Sequence, residues 1–244
     1  AVRVFSVNQL FAATRTLASG IRVEGPRLAI VTNGGGPGVM AADRAADLPI
    51  PLAELKPQTI QKLSKILPAH WSHSDPVDIL GDANADRYEA TTRIVLADEN
   101  VDGLLVLLTP QGMTDPTACA DGVIKAVNKS KKPVLACWMG EKMVAEGRRR
   151  FTKAGIPQFT SPEAGVDAFG YLACYRQNQK ILLQAPPPLS KPAEPDIEGA
   201  RMIIENAMDE GRFTLSNTES KAVLRAFRIP VSPSINANSA AEAL

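Results

Sequence analysis

The stretch from residue 28 to residue 47 constrains the fold most, because an apolar run breaks at a cluster of glycines and continues with helical spacing. The run covers residues 28–32, the glycines lie within 33–38, and the helical pattern resumes at Val39. A strand, a glycine turn and a helix N-terminus together form a phosphate-binding geometry, since first-turn N–H groups lack partners and the helix dipole favours an anion. The sequence is neither G-x-G-x-x-G nor a P-loop, because no Gly-Lys-Ser/Thr follows. A purely structural turn is the alternative.

Apolar runs and helical patterns alternate along residues 25–185. Residues 104–108 are continuously apolar, which is typical of a parallel strand that is buried on both faces. The alternation predicts an α/β fold with a doubly wound, mainly parallel sheet. The predicted strands cover residues 2–4, 28–33, 52–55, 77–80, 101–109, 133–139 and 156–159. The predicted helices cover residues 7–19, 39–47, 57–67, 85–97, 116–128, 141–154 and 162–184.

Four loops are predicted to meet at one edge of this sheet. Each follows a predicted strand and is rich in glycine or small polar residues: 33–38, 81–83, 109–113 and 140–141. Ligands of doubly wound sheets lie beyond the strand C-termini, where the strand order reverses. We therefore expect phosphate to bind at Asn33, Gly34, Gly35, Gly36 and Gly38. The supporting crevice is expected to comprise Asp78, Gly81, Thr109 and Gly140.

The composition argues against several classes of function. A net charge of +1 over 244 residues argues against a nucleic-acid partner. No apolar run approaches the roughly 20 residues of a membrane helix, and there is no signal-peptide pattern. The three cysteines are far apart and lie within apolar segments, which favours a reduced, cytoplasmic protein. No two cysteines or histidines have metal-ligand spacing, so no structural metal is expected.

Several side chains admit both a chemical and a structural interpretation, and the structural one is favoured. His70 and His73 could form a local phosphohistidine site, but surface histidines in loops are commoner. Asp78 could orient a loop or an incoming histidine, or it could cap the turn at residues 81–82. Asp43 is expected to face another helix or solvent. Arg148, Arg149 and Arg150 are assigned to a solvated helix face. Cys137 and Trp138 are assigned to the core, although Trp138 could line the crevice.

A proline-rich segment divides the chain. Residues 186–196 contain five prolines, which predicts a stiff, extended linker. The segment 197–244 follows it, with predicted helices at 196–209 and 219–227 and a predicted strand at 229–232, and it is too short for a complete domain. Both ends of the chain have the pattern of interior sequence. We therefore expect the chain to be a piece of a longer protein.

Short motifs carry a resemblance to a known family. They are Thr-Asn-Gly-Gly-Gly-Pro-Gly at 32–38 with Asp43, Asp-Pro-Val-Asp-Ile at 75–79, residues 105–110, Trp-Met-Gly at 138–140, the arginine-rich helix at 147–150, Gly-Ile-Pro at 155–157 and Tyr-Arg-Gln-Asn at 175–178. On these motifs, residues 25–185 resemble the flavodoxin-like ligase domain of NDP-forming acyl-CoA synthetases, the superfamily of succinyl-CoA synthetase. Residues 211–232 resemble the opening of the family's ATP-grasp domain, so 197–244 would be the start of a truncated one. Residues 1–17 resemble the segment after the family's CoA-binding domain, so 1–24 would be a linker helix from that missing domain.

The resemblance implies a phosphoryl relay. ATP phosphorylates a histidine, and the phosphoryl group passes to acetate or another acyl group, which CoA then captures. ATP/ADP with Mg and CoA would be the cofactors of the full-length protein, and phosphate would be the one ligand left to this chain. The active histidine would lie upstream, in another domain of the same chain, so these residues alone would be inactive. The full-length protein is expected to be a cytoplasmic homo-oligomer that binds an acyl substrate and CoA.

Two classes of function stay open within this resemblance. The first is an ADP-forming acyl-CoA synthetase of the acetate–CoA ligase type. The second is a non-catalytic, acyl-CoA-sensing region of an acyl-CoA synthetase-like protein lysine acetyltransferase, which has an added acetyltransferase domain. A histidine in the upstream loop would favour the first. A flavodoxin-like FMN or response-regulator domain is disfavoured, because the glycine loop lacks Ser/Thr-rich phosphate contacts and an acidic cluster.

Overall fold

A computed structural model describes residues 2–128, 130–184 and 194–232 of the chain. The chain forms two compact units, Ala1–Gln184 and Ala185–Leu244. The first unit contains a parallel sheet with flanking helices, and the described part of the second contains two helices. The predicted linker at 186–196 falls mostly outside the described residues.

Five parallel strands form the sheet of the first unit. They are β1 Leu28–Thr32, β2 Val77–Asp78, β3 Gly103–Leu108, β4 Val134–Trp138 and β5 Gln158–Phe159. Their order across the sheet is β2-β1-β3-β4-β5. The chain therefore runs outward from β1 to β2 and then crosses to the other side of β1 with β3. This order confirms the predicted doubly wound sheet.

Helices follow each strand and cover both faces of the sheet. In the first unit they are α1 Val7–Ala18, α2 Gly35–Asp47, α3 Pro57–Ile66, α4 Ala85–Leu96, α5 Pro116–Val127, α6 Ala145–Lys153 and α7 Pro162–Leu183, with a short 3-10 turn at Lys142–Val144 before α6. Local signals explain several starts. Ser161 accepts a hydrogen bond from the Ala164 N–H and precedes a proline at the first position of α7, as predicted.

The core consists of two apolar layers separated by the sheet. On one face Leu105 and Leu107 pack with residues of α2 and α7. On the other face Leu104, Val106 and Leu108 pack with residues of α3, α4, α5 and α6. All residues of β3 are buried, which confirms that its continuous apolar run belongs to a strand covered on both faces.

Three predicted strands are wrong. Residues 52–55 form only a single bridge, between Leu52 and Leu28. The ladder does not continue to residue 55, because the Ile30 N–H that would extend it donates to the Asp75 carboxylate at 2.8 Å. Residues 2–4 and 229–232 have no strand partner among the described residues.

The described part of the second unit is a pair of helices, α8 Ile197–Asp209 and α9 Asn217–Ala226. The Ser216 hydroxyl accepts a hydrogen bond from the Glu219 N–H, and the Glu219 carboxylate accepts one from the Ser216 N–H. Arg212 pairs with Glu219 at 2.7 Å and with Glu210 at 2.6 Å. Both predicted helices are confirmed, and their starts are fixed by local capping.

Candidate functional site

Three glycines of the cluster after β1, Gly35, Gly36 and Gly38, lie within the first turn of α2. Gly34 is the N-cap, and the helix begins at Gly35, four residues earlier than predicted. The Gly38 N–H donates to the Gly34 carbonyl at 3.3 Å, and Pro37 has no N–H. Among the described residues, neither the Gly35 N–H nor the Gly36 N–H has an acceptor. The helix therefore presents two adjacent open donors at its N-terminus.

The glycines of this cluster have different surroundings. A Cβ atom at Gly38 would lie 2.9 Å from Thr32 Cγ2, so this glycine allows α2 to pack closely on β1. A Cβ atom at Gly34 would lie 3.3 Å from Thr109 Oγ1. Gly36 is exposed, and nothing lies within 4 Å of the position of its Cβ. The space beside Gly36 is therefore free, whereas Asp78 Oδ2 lies 3.5 Å from the position of the Gly35 Cβ.

The turn before α2 is fixed by Thr32. Its hydroxyl donates to the Gly34 carbonyl at 2.8 Å and accepts from the Gly34 N–H at 3.1 Å. The Gly34 N–H is thus already paired, so it differs from the N–H groups of Gly35 and Gly36. The orientation of the first helical turn is set by a buried side chain of β1.

Asn33 joins this turn to the loop after β3. Its amide nitrogen donates to the Thr109 carbonyl at 2.8 Å, and its amide oxygen accepts from the Thr109 N–H at 2.7 Å. The side chain is almost fully buried. Its polar atoms are therefore occupied by the protein, in contrast to the open backbone of Gly35 and Gly36.

The structure brings the other predicted crevice residues to the same edge. Gly81 is covered by the Gln111 side chain, 3.5 Å from the position of its Cβ, and its carbonyl accepts from the Thr114 hydroxyl at 3.3 Å. Gly140 has a φ of 109° and lies against Pro110. The loop after β3 therefore contacts the loops after β1, β2 and β4.

Asp78 lies beside the start of α2. One carboxylate oxygen accepts from the Leu80 N–H at 2.9 Å, and the other lies 3.5 Å from the Cβ position of Gly35. Leu80 has a φ of 68°, a left-handed conformation that leucine rarely adopts. One oxygen of Asp78 therefore stabilises its own loop through the Leu80 N–H, and the second carboxylate oxygen faces the N-terminus of α2.

Two arginines near this edge are engaged by the protein itself. Arg87 pairs with Asp82 at 2.6 Å and donates to the Ile79 carbonyl at 2.9 Å. Arg148 donates to the carbonyls of Trp138 and Gly140. The predicted solvated face is therefore wrong for Arg148, which stabilises the C-terminal end of β4. Arg149 and Arg150 pair with Glu146, and Arg150 also pairs with Asp121.

The other residues that were candidates from the sequence are exposed at the surface or lie in the core. His70 and His73 are exposed, and His73 Nε2 lies 3.1 Å from the Ala69 carbonyl. Asp43 is exposed on α2. Cys137 and Trp138 are fully buried, and burial raises the pKa of the Cys137 thiol to about 12. Trp138 donates to the Pro116 carbonyl at 2.9 Å and packs edge-on against Phe151, so it belongs to the core and does not wall the crevice.

Sequence reasoning missed the role of Asp75. Its carboxylate accepts from the N–H groups of Ile30 at 2.8 Å and Ala53 at 3.2 Å, and so fixes the segment before β2 against β1. Burial raises the pKa of this carboxyl to about 7, although the two N–H donors act in the opposite direction. The position before a proline was the only local signal, and it does not specify partners that are distant along the chain.

Among the residues that the structure describes, no three His, Cys, Asp or Glu side chains are grouped so that they could hold a metal ion. No helix in the same ranges is long and apolar enough to cross a bilayer.

Comparison with known proteins identifies relatives of this chain. The family described as the Ligase-CoA domain matches residues 28–181. The ADP-forming acetate–CoA ligase I of Archaeoglobus fulgidus is 38% identical over 206 residues, which are 84% of this chain and 29% of that protein. The alpha subunit of the ADP-forming acetate–CoA ligase II of Pyrococcus furiosus is 39% identical over 145 residues, which are 57% of this chain and 32% of that subunit.

A solved structure shares the fold. It is the dinucleotide-forming acetyl-coenzyme A synthetase 1 of Candidatus Korarchaeum cryptofilum in complex with phosphate and ADP, with a TM-score of 0.69 and 32% sequence identity. The similarity covers 75% of this chain and 40% of that chain. The present chain therefore spans between 29% and 40% of the length of these three relatives.

Proposed function

We propose a function from the premise that the chain belongs to the Ligase-CoA domain family of NDP-forming acyl-CoA synthetases. It serves in an ADP-forming acyl-CoA synthetase of the acetate–CoA ligase type, in which acyl-CoA formation is coupled to ATP through a phosphohistidine. The role of this chain is to hold the phosphoryl group at the N-terminus of α2. ATP or ADP with Mg, CoA and the acyl substrate are bound with the help of other parts of the longer protein.

The observation that carries this proposal is the pair of open N–H groups at Gly35 and Gly36. A phosphoryl group is stabilised by backbone donors and by the positive end of the helix dipole, both of which are in place before the ligand arrives. The free space at Gly36 allows an anion to approach the backbone without meeting a side chain. Gly34 and Gly38 support this geometry by allowing close packing on either side of the two donors.

The surroundings of the two donors favour a phosphoryl group that is attached to a protein segment. Exposed apolar side chains lie in the loops and the helix of this edge: Val39, Met40, Met113 and Met143. A free, solvated nucleotide gains little from such side chains, whereas a protein segment can bury them. This supports delivery of the phosphoryl group on a histidine from another domain of the same protein. Asp78 is then placed to accept a hydrogen bond from the incoming ring.

The test uses the Gly36→Val substitution in the full-length protein. We expect a large loss of ATP formation from acyl-CoA, ADP and phosphate, with little loss of folding stability, because the valine side chain would cover the two donors without meeting another residue. Gln58→Val is the matched control, since Gln58 is exposed and occupies the second position of α3. Activity and thermal unfolding are measured for both variants.

Two results would count against the proposal. Equal losses of activity in Gly36→Val and Gln58→Val, in proportion to stability, would mean that the glycine cluster is only a structural turn. A full-length protein that never acquires an acid-labile phosphoryl group from ATP would favour the alternative, a non-catalytic acyl-CoA-sensing region of a protein lysine acetyltransferase.

A further inference from the structure

The strand order reverses between β1 and β3, and Asn33 lies at that point. In doubly wound sheets the crevice between the loops of these two strands is the usual place for a ligand. Here the two loops are joined across the crevice, because the Asn33 side chain bonds to both backbone groups of Thr109, at 2.8 and 2.7 Å. Asn33 is 1% exposed, so the crevice is filled at its base by a protein side chain.

The chemistry of this contact requires an amide of this length. Thr109 presents one N–H and one carbonyl, and only a side chain with an acceptor and a donor can satisfy both. Aspartate would place a carboxylate oxygen against the Thr109 carbonyl. Alanine would leave the N–H and the carbonyl of the half-buried Thr109 without these partners, which is costly.

We propose that Asn33 is a positioning residue that holds the N-terminus of α2 and the β3–α5 loop as one rigid edge. The Asn33 staple, defined as the pair of hydrogen bonds between Asn33 and Thr109, sets the two donors of α2 against the loop that contains Gln111 and Met113. It also prevents a planar ring from entering between β1 and β3, so a phosphoryl group must approach from outside the sheet. This inference rests on the proposed function for its ligand, and on the staple geometry for its mechanism.

The staple is connected to further contacts on both sides. On the α2 side, Gly34 is paired with Thr32, and the Gly38 N–H donates to the Gly34 carbonyl at 3.3 Å. On the other side, the Thr114 N–H donates to the Gln111 carbonyl at 3.0 Å. Loss of the staple should therefore weaken the hydrogen bonds of the Gly38 and Thr114 N–H groups. Neither residue takes part in the bonds between Asn33 and Thr109 that are lost.

The test compares Asn33→Ala and Asn33→Asp with Asp98→Asn in the chain of 244 residues. Asp98 is the matched control because it is also buried and fixes a loop, accepting from the N–H groups of Lys56 and Asn100 at 2.8 and 2.9 Å, at the opposite end of β3. Amide hydrogen exchange is followed at Gly38 and Thr114 by NMR. Inorganic phosphate is titrated against the amide signals of Gly35 and Gly36.

We expect exchange at Gly38 and Thr114 to rise by about tenfold in the Asn33 variants, and phosphate affinity to fall by about fivefold. Asp98→Asn should change neither quantity, even where it lowers the melting temperature by a similar amount. Asn33→Asp keeps an acceptor for the Thr109 N–H, so it serves if Asn33→Ala does not fold.

The outcomes separate this inference from the proposed function. If the unsubstituted chain binds phosphate and the Asn33 variants bind it equally well, the positioning role is overturned and the phosphate site stands. If the unsubstituted chain binds no phosphate, the proposed function fails, and only the exchange data then test the role of the Asn33 staple. Faster exchange confined to Gly38 and Thr114 would then support the staple, and uniform change across the sheet would overturn it.

Discussion

Adjacent glycines in one cluster can serve different purposes, and Gly36 and Gly38 illustrate this. Gly38 is buried, and its Cβ would lie 2.9 Å from Thr32 Cγ2. Gly36 is exposed, with nothing within 4 Å of its Cβ position. We expect Gly38→Ala to lower the free energy of unfolding by about 1–3 kcal/mol, because α2 must move away from β1. We expect Gly36→Ala to be neutral or to stabilise by up to about 1 kcal/mol, since alanine is the better helix former.

Urea denaturation of the two alanine variants checks this pair of expectations. Each variant serves as the control for the other, because both substitutions add one methyl group to the same helical turn. Equal losses of stability would mean that the space at Gly36 is not free, and the approach of an anion there would lose its physical basis.

Asp75 gives a pH dependence whose sign follows from its surroundings. Burial raises the pKa of this carboxyl from 3.8 to about 7, so the folded protein binds the proton more tightly than the unfolded chain does. The contribution of Asp75 to stability is therefore greatest at low pH and is lost as the pH rises toward about 7. Asp75→Asn removes this dependence. The stability of the unsubstituted protein relative to the variant should fall by at most about 1.4 kcal/mol per pH unit between pH 4 and 7.

Chemical denaturation of both proteins across this pH range isolates the effect of Asp75. The comparison is needed because other carboxyls act in the opposite direction. The pKa of Asp102 is lowered by its hydrogen bond to Arg27, so this residue contributes stability that is lost in acid. A stability difference that does not vary with pH would show that Asp75 stays ionised in the fold.

Contacts between residues that are distant along the chain are the part of the site that the sequence does not predict. The glycine cluster and its position at the strand C-terminus could be predicted, because both follow from local pattern. The pairing of Asn33 with Thr109 could not, since these residues are 76 positions apart and their contact depends on the strand order. The same holds for Asp75, whose partners Ile30 and Ala53 lie on segments that the local sequence does not identify.

Among the elements, α7 packs on the sheet through a glycine. A Cβ atom at Gly165 would lie 2.7 Å from Leu105 Cδ1, which is in the centre of the sheet. A Cβ atom at Gly170, in the same helix, would meet the ends of the Ile50 and Leu48 side chains, at 3.1 and 3.8 Å. We expect Gly165→Ala to destabilise the protein by about 1–3 kcal/mol, because both the helix and the buried leucine must shift. Gly170→Ala should cost less.

Thermal unfolding of these two variants tests the packing of α7 on β3. The design removes helix propensity from the comparison, since both changes replace a glycine within one helix by the same residue. If Gly170→Ala cost as much as Gly165→Ala, close approach to Leu105 would not be the factor that fixes the helix.

Element types were predictable where the pattern is long or has clear caps. The α7 start at Ser161-Pro162 and the continuous apolar run of β3 are confirmed, because each signal is local and strong. The start of α2 was placed too late, because glycines and a proline suggest a turn even where the first helical turn tolerates them. The strand expected at 52–55 is wrong because its pairing with β1 is limited to one bridge, which the residues themselves do not indicate.

At the scale of the whole molecule, the parallel sheet and the convergence of four loops follow from the alternation of strands and helices alone. The alternation does not predict that the crevice between β1 and β3 is filled. This depends on the Asn33 side chain, which bonds to Thr109 in the loop after β3. Because the Asn33 side chain lies between the loops after β1 and β3, we propose that the expected phosphate ligand approaches the open donors of α2 from outside the sheet.

This arrangement predicts that the present chain binds free phosphate only weakly. Two N–H donors contribute on the order of 1.5–3 kcal/mol each to a charged ligand, and association costs several kcal/mol of translational and rotational freedom. The arginines of the neighbouring loops, Arg87 and Arg148, are already engaged. We therefore expect a dissociation constant of about 1 mM or weaker. An NMR titration of the Gly35 and Gly36 amides with phosphate, against chloride at equal ionic strength, measures it.

The strength of binding decides whether this edge is half of a site or a complete one. Micromolar affinity for phosphate would contradict the half-site, because it would require donors or cations beyond the two N–H groups. No response of the Gly35 and Gly36 amides at high phosphate concentration would contradict the anion site itself. The half-site predicts weak binding that is abolished by Gly36→Val. The remaining affinity would come from the protein segment that carries the phosphoryl group. Because that segment is attached to the same molecule, a high effective concentration replaces free association.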